Sequence, residues 1–157
     1  MHIKSSAFAS MVLAMTAIGL ASGAAFPPAP QTESPADRYA WADACKTCHA
    51  DIHAAWQKTK HANALDRLSS AEQQQDCVVC HTTGGKGKIE REGKLVNRGV
   101  QCEACHGAAA AHAADPTNRE SLTRKPGPQV CEACHNDKSP RFRGFHYAGM
   151  VKLSHAR

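Results

Sequence analysis

The chain has 157 residues, with eight cysteines, ten histidines and a formal net charge of +5. Without an N-terminal export signal of 24 residues, about 133 remain, which is the size of one domain and excludes an array of several domains. Aromatic residues make up only 5%, a low fraction for a chain that must build its own hydrophobic core.

The first 24 residues have the pattern of a cleavable export signal. A short positive segment ends at Lys4, residues 7–20 are apolar, and residues 21–25 are small. A membrane anchor is the alternative, but about 14 apolar residues are fewer than the roughly 20 needed to cross a bilayer. We therefore predict a periplasmic protein that does not itself span the membrane.

Residues 25–40 are predicted to form an extended N-terminal arm, because residues 26–37 contain four prolines. Trp41 follows the arm, just before the first cysteine. It either covers the edge of a cofactor or is an interfacial core residue, and the sequence does not separate these interpretations.

The pattern Cys-x-x-Cys-His occurs four times and uses all eight cysteines. The cysteines are Cys45, Cys48, Cys77, Cys80, Cys102, Cys105, Cys131 and Cys134, and the histidines are His49, His81, His106 and His135. Two cysteines at this spacing form thioethers to a porphyrin, and the adjoining histidine binds its iron. Disulfides do not require these histidines. Zinc, the more serious alternative, gives no reason for them either.

We therefore predict four covalently bound haem c groups, held by residues 41–157. The haems replace the missing apolar core, so the expected fold is mainly α with extensive loops and one small β-hairpin, a compact tetrahaem domain with the haems as its core. The hairpin is predicted over residues 88–96 with its turn at Glu92 and Gly93.

Residues 48–68 predict one continuous helix, because apolar residues recur among good helix formers without Gly or Pro. His53 lies one turn beyond His49, on the same side of the first haem, and cannot reach the opposite face of that iron. His61 lies twelve residues beyond His49, about 18 Å along such a helix. If His61 is a ligand, it binds a different iron.

The positive charge does not indicate nucleic acid as a partner. Loss of Lys4 leaves +4, and eight haem propionates would bring the sum to about −4 if all ionise. Five basic residues near the hairpin form either a docking patch for an acidic redox partner or, the interpretation we prefer, a solvated turn. They are Lys86, Lys88, Arg91, Lys94 and Arg98.

Four iron positions opposite the motif histidines remain to be filled. The candidates outside the motifs and the signal are His53, His61, His112, His146 and His155, with Met150 as a sulfur alternative. His112 follows His106 too closely to reach around the same porphyrin, so it is either a ligand to a neighbouring haem or a surface histidine. Ligation by two histidines leaves no open site on the iron.

Three stretches resemble the tetrahaem cytochrome c-554 and c-prime family: CKTCHADIHAAWQKTKHANAL from Cys45, GVQCEACHGAAAAH from Gly99, and the terminal KLSH. The resemblance implies His112 as distal ligand of the first haem. It implies His61 and His155 as distal ligands of the third and fourth haems, in an order left open. It also implies a second haem with His81 as its only protein ligand, unless His146 or His53 fills that place.

Two functions follow from the motifs and the resemblance. The first is a periplasmic electron carrier serving redox proteins, such as a membrane quinol oxidoreductase or a terminal reductase. The second is a small haem enzyme that reduces a nitrogen oxide or peroxide at a five-coordinate second haem. The chain has no CxxCK motif and no long insertion to build a substrate pocket, so we prefer the carrier. A subunit of a larger respiratory complex is a third possibility.

Overall fold

The computed structural model describes residues 35–85 and 87–155. The predicted signal peptide, residues 1–24, and residues 25–34 of the predicted arm lie outside these ranges. The last residues of that arm form a 3₁₀ turn, Pro35–Arg38. Further 3₁₀ turns are Leu65–Arg67, Glu72–Gln74 and Val151–Leu153.

Short α-helices joined by loops make up most of the described chain, as predicted. They are α1 (Trp41–Lys46), α2 (Ala50–Gln57), α3 (Cys77–His81), α4 (Cys102–His106), α5 (Ala110–Ala114), α6 (Pro128–Glu132) and α7 (Tyr147–Met150). Two of them, α3 and α4, each consist of one whole Cys-x-x-Cys-His motif. The element lengths are therefore set by the motifs and not by long amphipathic stretches.

The predicted hairpin is present and turns where expected. Strands β1 (Glu90–Arg91) and β2 (Lys94–Leu95) pair antiparallel, with Glu90 opposite Leu95 and Arg91 opposite Lys94. The two turn residues, Glu92 and Gly93, have φ values of 52° and 71°. Two consecutive positive φ angles match the right-handed twist of a two-residue hairpin, which explains why Gly occupies the second position.

The predicted continuous helix over residues 48–68 is wrong, because α2 ends at Gln57. The Thr59 hydroxyl donates to the Trp56 carbonyl (2.7 Å) and accepts from the Ala62 N–H (3.3 Å). Such side-chain bonds compete with the helical backbone pattern. The following carbonyl groups then turn toward residues 99–100, where the Val100 N–H donates to His61 O at 2.9 Å. Tertiary contact thus outweighs local helix propensity.

A buried polar network fixes the loop between the second and third motifs. Asn97 and Thr83 are both 0% exposed, and the Asn97 amide donates to the Thr83 carbonyl at 3.0 Å. The Thr83 hydroxyl donates to Gly99 O (3.0 Å) and accepts from the Gln101 N–H (2.8 Å). The Gln101 side chain in turn accepts from the Ala42 N–H at 2.7 Å. This network ties the start of the third motif to α1.

The polypeptide has very little hydrophobic core of its own. The buried apolar side chains of the described residues are Trp41, Ala42, Ala64, Leu65, Val78 and Ala109, whereas Ile52, Val79, Val130, Met150, Val151 and Leu153 are exposed. Two of the exposed residues belong to motif regions: Val79 lies within the second motif, and Val130 directly precedes the fourth. This distribution agrees with an interior in which porphyrins replace packed side chains.

Candidate haem-binding site

Each motif is folded as one helical turn. In the first and fourth motifs, the histidine N–H donates to the carbonyl of the first cysteine, His49 to Cys45 and His135 to Cys131, both at 2.9 Å. Residues three and four positions apart share one face of a helix. Both cysteines and the histidine of a motif therefore face the same side, as attachment of one haem to all three requires.

Two pairs of cysteines from different motifs are in hydrogen-bonding contact. As free thiols, Cys45 and Cys102 bond to each other, which raises the pKa of Cys45 and lowers the pKa of Cys102 to about 7. Burial and then a hydrogen bond with Cys80 raise the pKa of Cys134 to about 12. The first motif is therefore beside the third, and the second is beside the fourth.

A third pair of cysteines, one from each of these two pairs of motifs, is also close in space. Burial and then the neighbouring Cys131 raise the pKa of Cys105, so the third and fourth motifs are also neighbours. The four attachment sites consequently follow one another in space in the order first, third, fourth, second, which differs from their order in the chain.

Two predicted distal histidines lie opposite motif histidines. The ring centres of His61 and His135 are 6.0 Å apart with their planes at 61°, and those of His106 and His155 are 5.9 Å apart at 17°. Two metal–nitrogen bonds of about 2 Å each, with about 1 Å from each nitrogen to its ring centre, span about 6 Å. The two separations therefore match the distance expected between the ring centres of two imidazoles bonded to one metal ion.

The electrostatic surroundings of these distal histidines favour the metal-binding form. Burial, and then the nearby His135, lower the pKa of His61. Burial, and then the nearby His106, lower the pKa of His155. A neutral imidazole is the form that ligates a metal.

Three histidines, including the His106 described above, have one ring nitrogen hydrogen-bonded to a backbone carbonyl. Nδ1 lies 2.7 Å from Ala64 O in His81, 2.7 Å from Thr123 O in His106, and 2.9 Å from Asn118 O in His112. Because a carbonyl only accepts, Nδ1 must carry the proton, and Nε2 is left free for a metal. His112 is half-buried, so it is not simply a surface histidine.

The remaining candidates are not paired across a gap within the described residues. His49 is exposed and borders a cavity of about 260 Å³. His146 and Met150 are exposed at the two ends of α7. His53 is only 3% exposed, and its Nε2 has no hydrogen-bond partner among the described residues. Protein atoms enclose that nitrogen, which argues against His53 as a haem ligand.

Glu103 is an important residue of the site that the sequence reasoning missed. It is the first of the two residues between the cysteines of the third motif, and it is only 4% exposed. Its carboxylate accepts the backbone N–H groups of Ala40 (2.9 Å), Trp41 (2.8 Å) and Ala109 (2.7 Å). It thereby holds the segment before the first motif and the segment after the third motif in place. Nothing in the sequence distinguishes Glu103 from the equivalent Glu132.

Trp41 is a buried residue in the contact between the first and third motifs. It is 7% exposed, and its ring stacks on Tyr39 with the centres 5.1 Å apart. Its φ of 68° is positive, a conformation that bulky residues rarely adopt. The bonds from Trp41 and Ala40 to Glu103 compensate for that conformation, and the structure supports the core interpretation of this residue.

The cysteines and histidines of the motifs fit haem better than disulfides or structural zinc. None of the eight cysteines, all within the described ranges, forms a disulfide. Across the same part of the chain, no three His, Cys, Asp or Glu side chains converge to hold a bare metal ion. A cavity of about 380 Å³ is bordered by Asp51, Ile52, Ala55 and His155, and so places a carboxylate and an imidazole beside two apolar side chains.

Lys86 of the predicted patch lies outside the described residues, and two of the other four patch residues have acidic partners. Arg91 pairs with Asp37 at 2.9 Å, and Arg98 pairs with Asp66. Both pairs are largely exposed, so their contribution to stability is small. They reduce the positive charge available near the hairpin.

Comparison with known proteins gives two matching family models. The one described as cytochrome c554 and c-prime matches residues 44–107, and a doubled CXXCH motif matches residues 94–140. Cytochrome c-554 of Nitrosomonas europaea is 26% identical over an alignment of 131 positions that covers 71% of this chain and 54% of that protein. The chain thus spans about half the length of this curated relative.

Among solved structures, reduced cytochrome c554 from Nitrosomonas europaea has a similar fold. The TM-score is 0.56 at 24% identity, covering 75% of this chain and 83% of the other. A weaker likeness, with a TM-score of 0.44 and 18% identity, relates 71% of this chain to 44% of the outer cell wall cytochrome OcwA. The resemblance inferred from the motifs is confirmed. No helix in the described ranges is long and apolar enough to cross a membrane.

Proposed function

We propose that this chain, which is similar to multihaem c-type cytochromes, is a periplasmic electron carrier with four covalently attached haem c groups, one on each motif. Each haem supplies a one-electron iron couple when bound. The protein contributes the spacing of the haems, their axial ligands and their exposure to solvent and partners. In this role no bond of an organic substrate is formed or broken.

The observation that carries the proposal is the spatial order of the attachment sites. Cys45 lies beside Cys102, Cys134 lies beside Cys80, and Cys105 is close enough to Cys131 for the two to affect each other's charge, so the four motifs are neighbours in one series. Electron transfer between haems slows steeply as their edges move apart. A continuous series with the first and second haems at its ends therefore suits entry of an electron at one end and exit at the other.

We assign the axial ligands partly from this geometry. His49, His81, His106 and His135 would bind their irons from the motif side. The separation of His61 from His135 supports His61 as distal ligand of the fourth haem, and the separation of His155 from His106 supports His155 for the third. The family resemblance implies His112 for the first haem, and His146 is proposed for the second as the remaining candidate.

Spectroscopy of the purified protein tests the cofactor count and the ligation. We expect an intact mass heavier than the processed polypeptide by four haems, and a low-spin spectrum that does not change with carbon monoxide. A lower haem count would refute the four-haem proposal. A high-spin quarter of the haem that binds carbon monoxide would contradict His146 as a ligand and favour the small haem enzyme.

The proposed partners are redox proteins reached in the periplasm, such as a membrane quinol oxidoreductase or a terminal reductase. The exported location rests on residues 1–24. Fractionation of cells should recover the haem protein in the periplasmic fraction, with a processed N-terminus near residue 25. Recovery of an unprocessed chain in the cytoplasm would contradict both the location and these partners.

A further inference from the structure

The motif histidines are oriented in two different ways. The rings of His81 and His106 are fixed by hydrogen bonds from Nδ1 to backbone carbonyls, each 2.7 Å long. The His135 ring has no such bond within the described residues. Instead, the ring of Phe145 stacks on it, with the ring centres 5.0 Å apart and the planes at 22°.

The position of Phe145 is itself determined by contacts around the fourth motif. Two residues later, the Tyr147 hydroxyl donates to Pro126 O. Pro126 lies two residues before the start of α6, the helix that carries Cys131. Gly144, immediately before Phe145, has a φ of 89°, so the chain turns sharply at that point. The Phe145 ring and the fourth motif are thus parts of one clamped unit.

The two facing histidine pairs differ in the angle between their ring planes. The planes of His106 and His155 are nearly parallel, at 17°, whereas those of His61 and His135 are crossed, at 61°. Stacking on Phe145 holds the His135 plane, because rotation of that ring would break the face contact.

We infer that Phe145 is a positioning residue for His135 and that it makes the fourth haem electronically different from the third. The inference rests on the proposed ligation of these haems by His61 and His155. Each imidazole donates π density into the iron d orbital perpendicular to its ring. Two parallel rings raise the energy of one of two iron d orbitals above that of the other. Crossed rings raise the energies of both orbitals by similar amounts.

Two properties follow from the crossed ligand planes. Near-equal d orbitals give the ferric fourth haem a strongly anisotropic electron paramagnetic resonance signal with one large g value, whereas the third haem gives an ordinary rhombic signal. Parallel planes place the ferric hole in one raised orbital and so stabilise the ferric state. The fourth haem therefore has the more positive potential of the two, other factors being equal.

The test compares Phe145→Leu with Phe142→Leu in the full haem-loaded protein. Phe142 lies in the same loop and is also half-buried, but its ring makes no contact with a histidine among the described residues. The fourth-haem signal is identified as the one lost in His61→Ala. We expect Phe145→Leu to move that signal toward the rhombic type and to lower the corresponding potential. Phe142→Leu should change neither, and Phe145→Tyr, which keeps the ring, should retain the native signal.

Each outcome decides between the inference and its premise. A fourth-haem signal unchanged in Phe145→Leu, or shifted equally by both leucine variants, would overturn the role of Phe145. Absence of any low-spin signal that depends on His61 would refute the proposed ligation itself. Should Phe145→Leu fail to load haem, Tyr147→Phe serves instead: it removes only the hydroxyl that donates to Pro126 O, so the Phe145 loop is released and the fourth-haem signal should shift in the same direction.

Discussion

Replacement of Glu103 by alanine is expected to destabilise the protein strongly, because the carboxylate accepts three backbone N–H groups in a buried site. Hydrogen bonds to a charged acceptor contribute about 1.5–3 kcal/mol each. Removal of the carboxylate also removes the cost of burying its charge, which offsets part of the loss. We therefore expect a decrease of about 3–5 kcal/mol in the free energy of unfolding.

The fourth motif provides a matched control for this experiment. Its pentapeptide is identical to that of the third, so Glu132 occupies the same place between two haem-binding cysteines. Glu132 is exposed, however, whereas Glu103 is 4% exposed. Surface substitutions usually change stability by less than about 0.5 kcal/mol, so Glu132→Ala should behave almost as the native protein does.

Thermal unfolding monitored by circular dichroism, with haem content measured in parallel, is the appropriate assay. A loss of 3–5 kcal/mol corresponds to a decrease of about 10–20 °C in Tm for a domain of this size. Glu103→Gln should lie between alanine and the native residue. Its one remaining oxygen can still accept from Ala40 and Ala109, but its amide cannot accept from Trp41. Equal Tm values for Glu103→Ala and Glu132→Ala would refute the three-bond account.

Three further predictions concern the backbone and the surface. Gly99→Ala should lower Tm much more than Gly85→Ala, because both glycines have positive φ but only the first would drive a Cβ into the Ala62 carbonyl; similar losses would contradict this close approach. Thr59→Val should lower the free energy of unfolding, measured by urea denaturation, by about 1–2 kcal/mol, because the Thr59 hydroxyl both donates to and accepts from the backbone. A free energy of unfolding equal to the native value would show that those bonds contribute nothing. The pKa of Glu72 is lowered by hydrogen bonds from the Ser69 N–H and hydroxyl. The Glu72 carboxylate therefore stabilises the fold above the ordinary glutamate pKa, and this stabilisation is lost as pH falls through the lowered pKa. The Tm difference between the native protein and Glu72→Gln should therefore narrow on acidification, and a difference that stays constant would exclude this carboxylate as the cause.

The ligand assignment shows how far sequence reasoning reached. That His61 ligates an iron other than that of His49 stays a prediction. The reason given for it was a continuous helix over residues 48–68, and that helix is wrong because α2 ends at Gln57. The turn that follows α2 brings the His61 ring to 6.0 Å from that of His135, and local sequence did not indicate this turn.

Local chemistry is what the sequence by itself determined. Cysteines three positions apart with an adjoining histidine specify thioether attachment and one iron ligand, and Glu92-Gly93 specifies the hairpin turn. Both depend on neighbouring residues and a single helical or hairpin turn, so no distant part of the chain is needed to interpret them. The scarcity of aromatic residues likewise indicated an interior made of cofactors.

Contacts between distant residues were decided only by the tertiary structure. The order of the motifs in space, the partners of His61 and His155, and the burial of Glu103 but not Glu132 all join segments far apart in the chain. Identical pentapeptides acquire different roles because the residues that surround them differ, and those residues come from other parts of the chain. Local helix and turn propensities do not identify such neighbours, because contacts between distant segments form only when the chain packs into its tertiary structure.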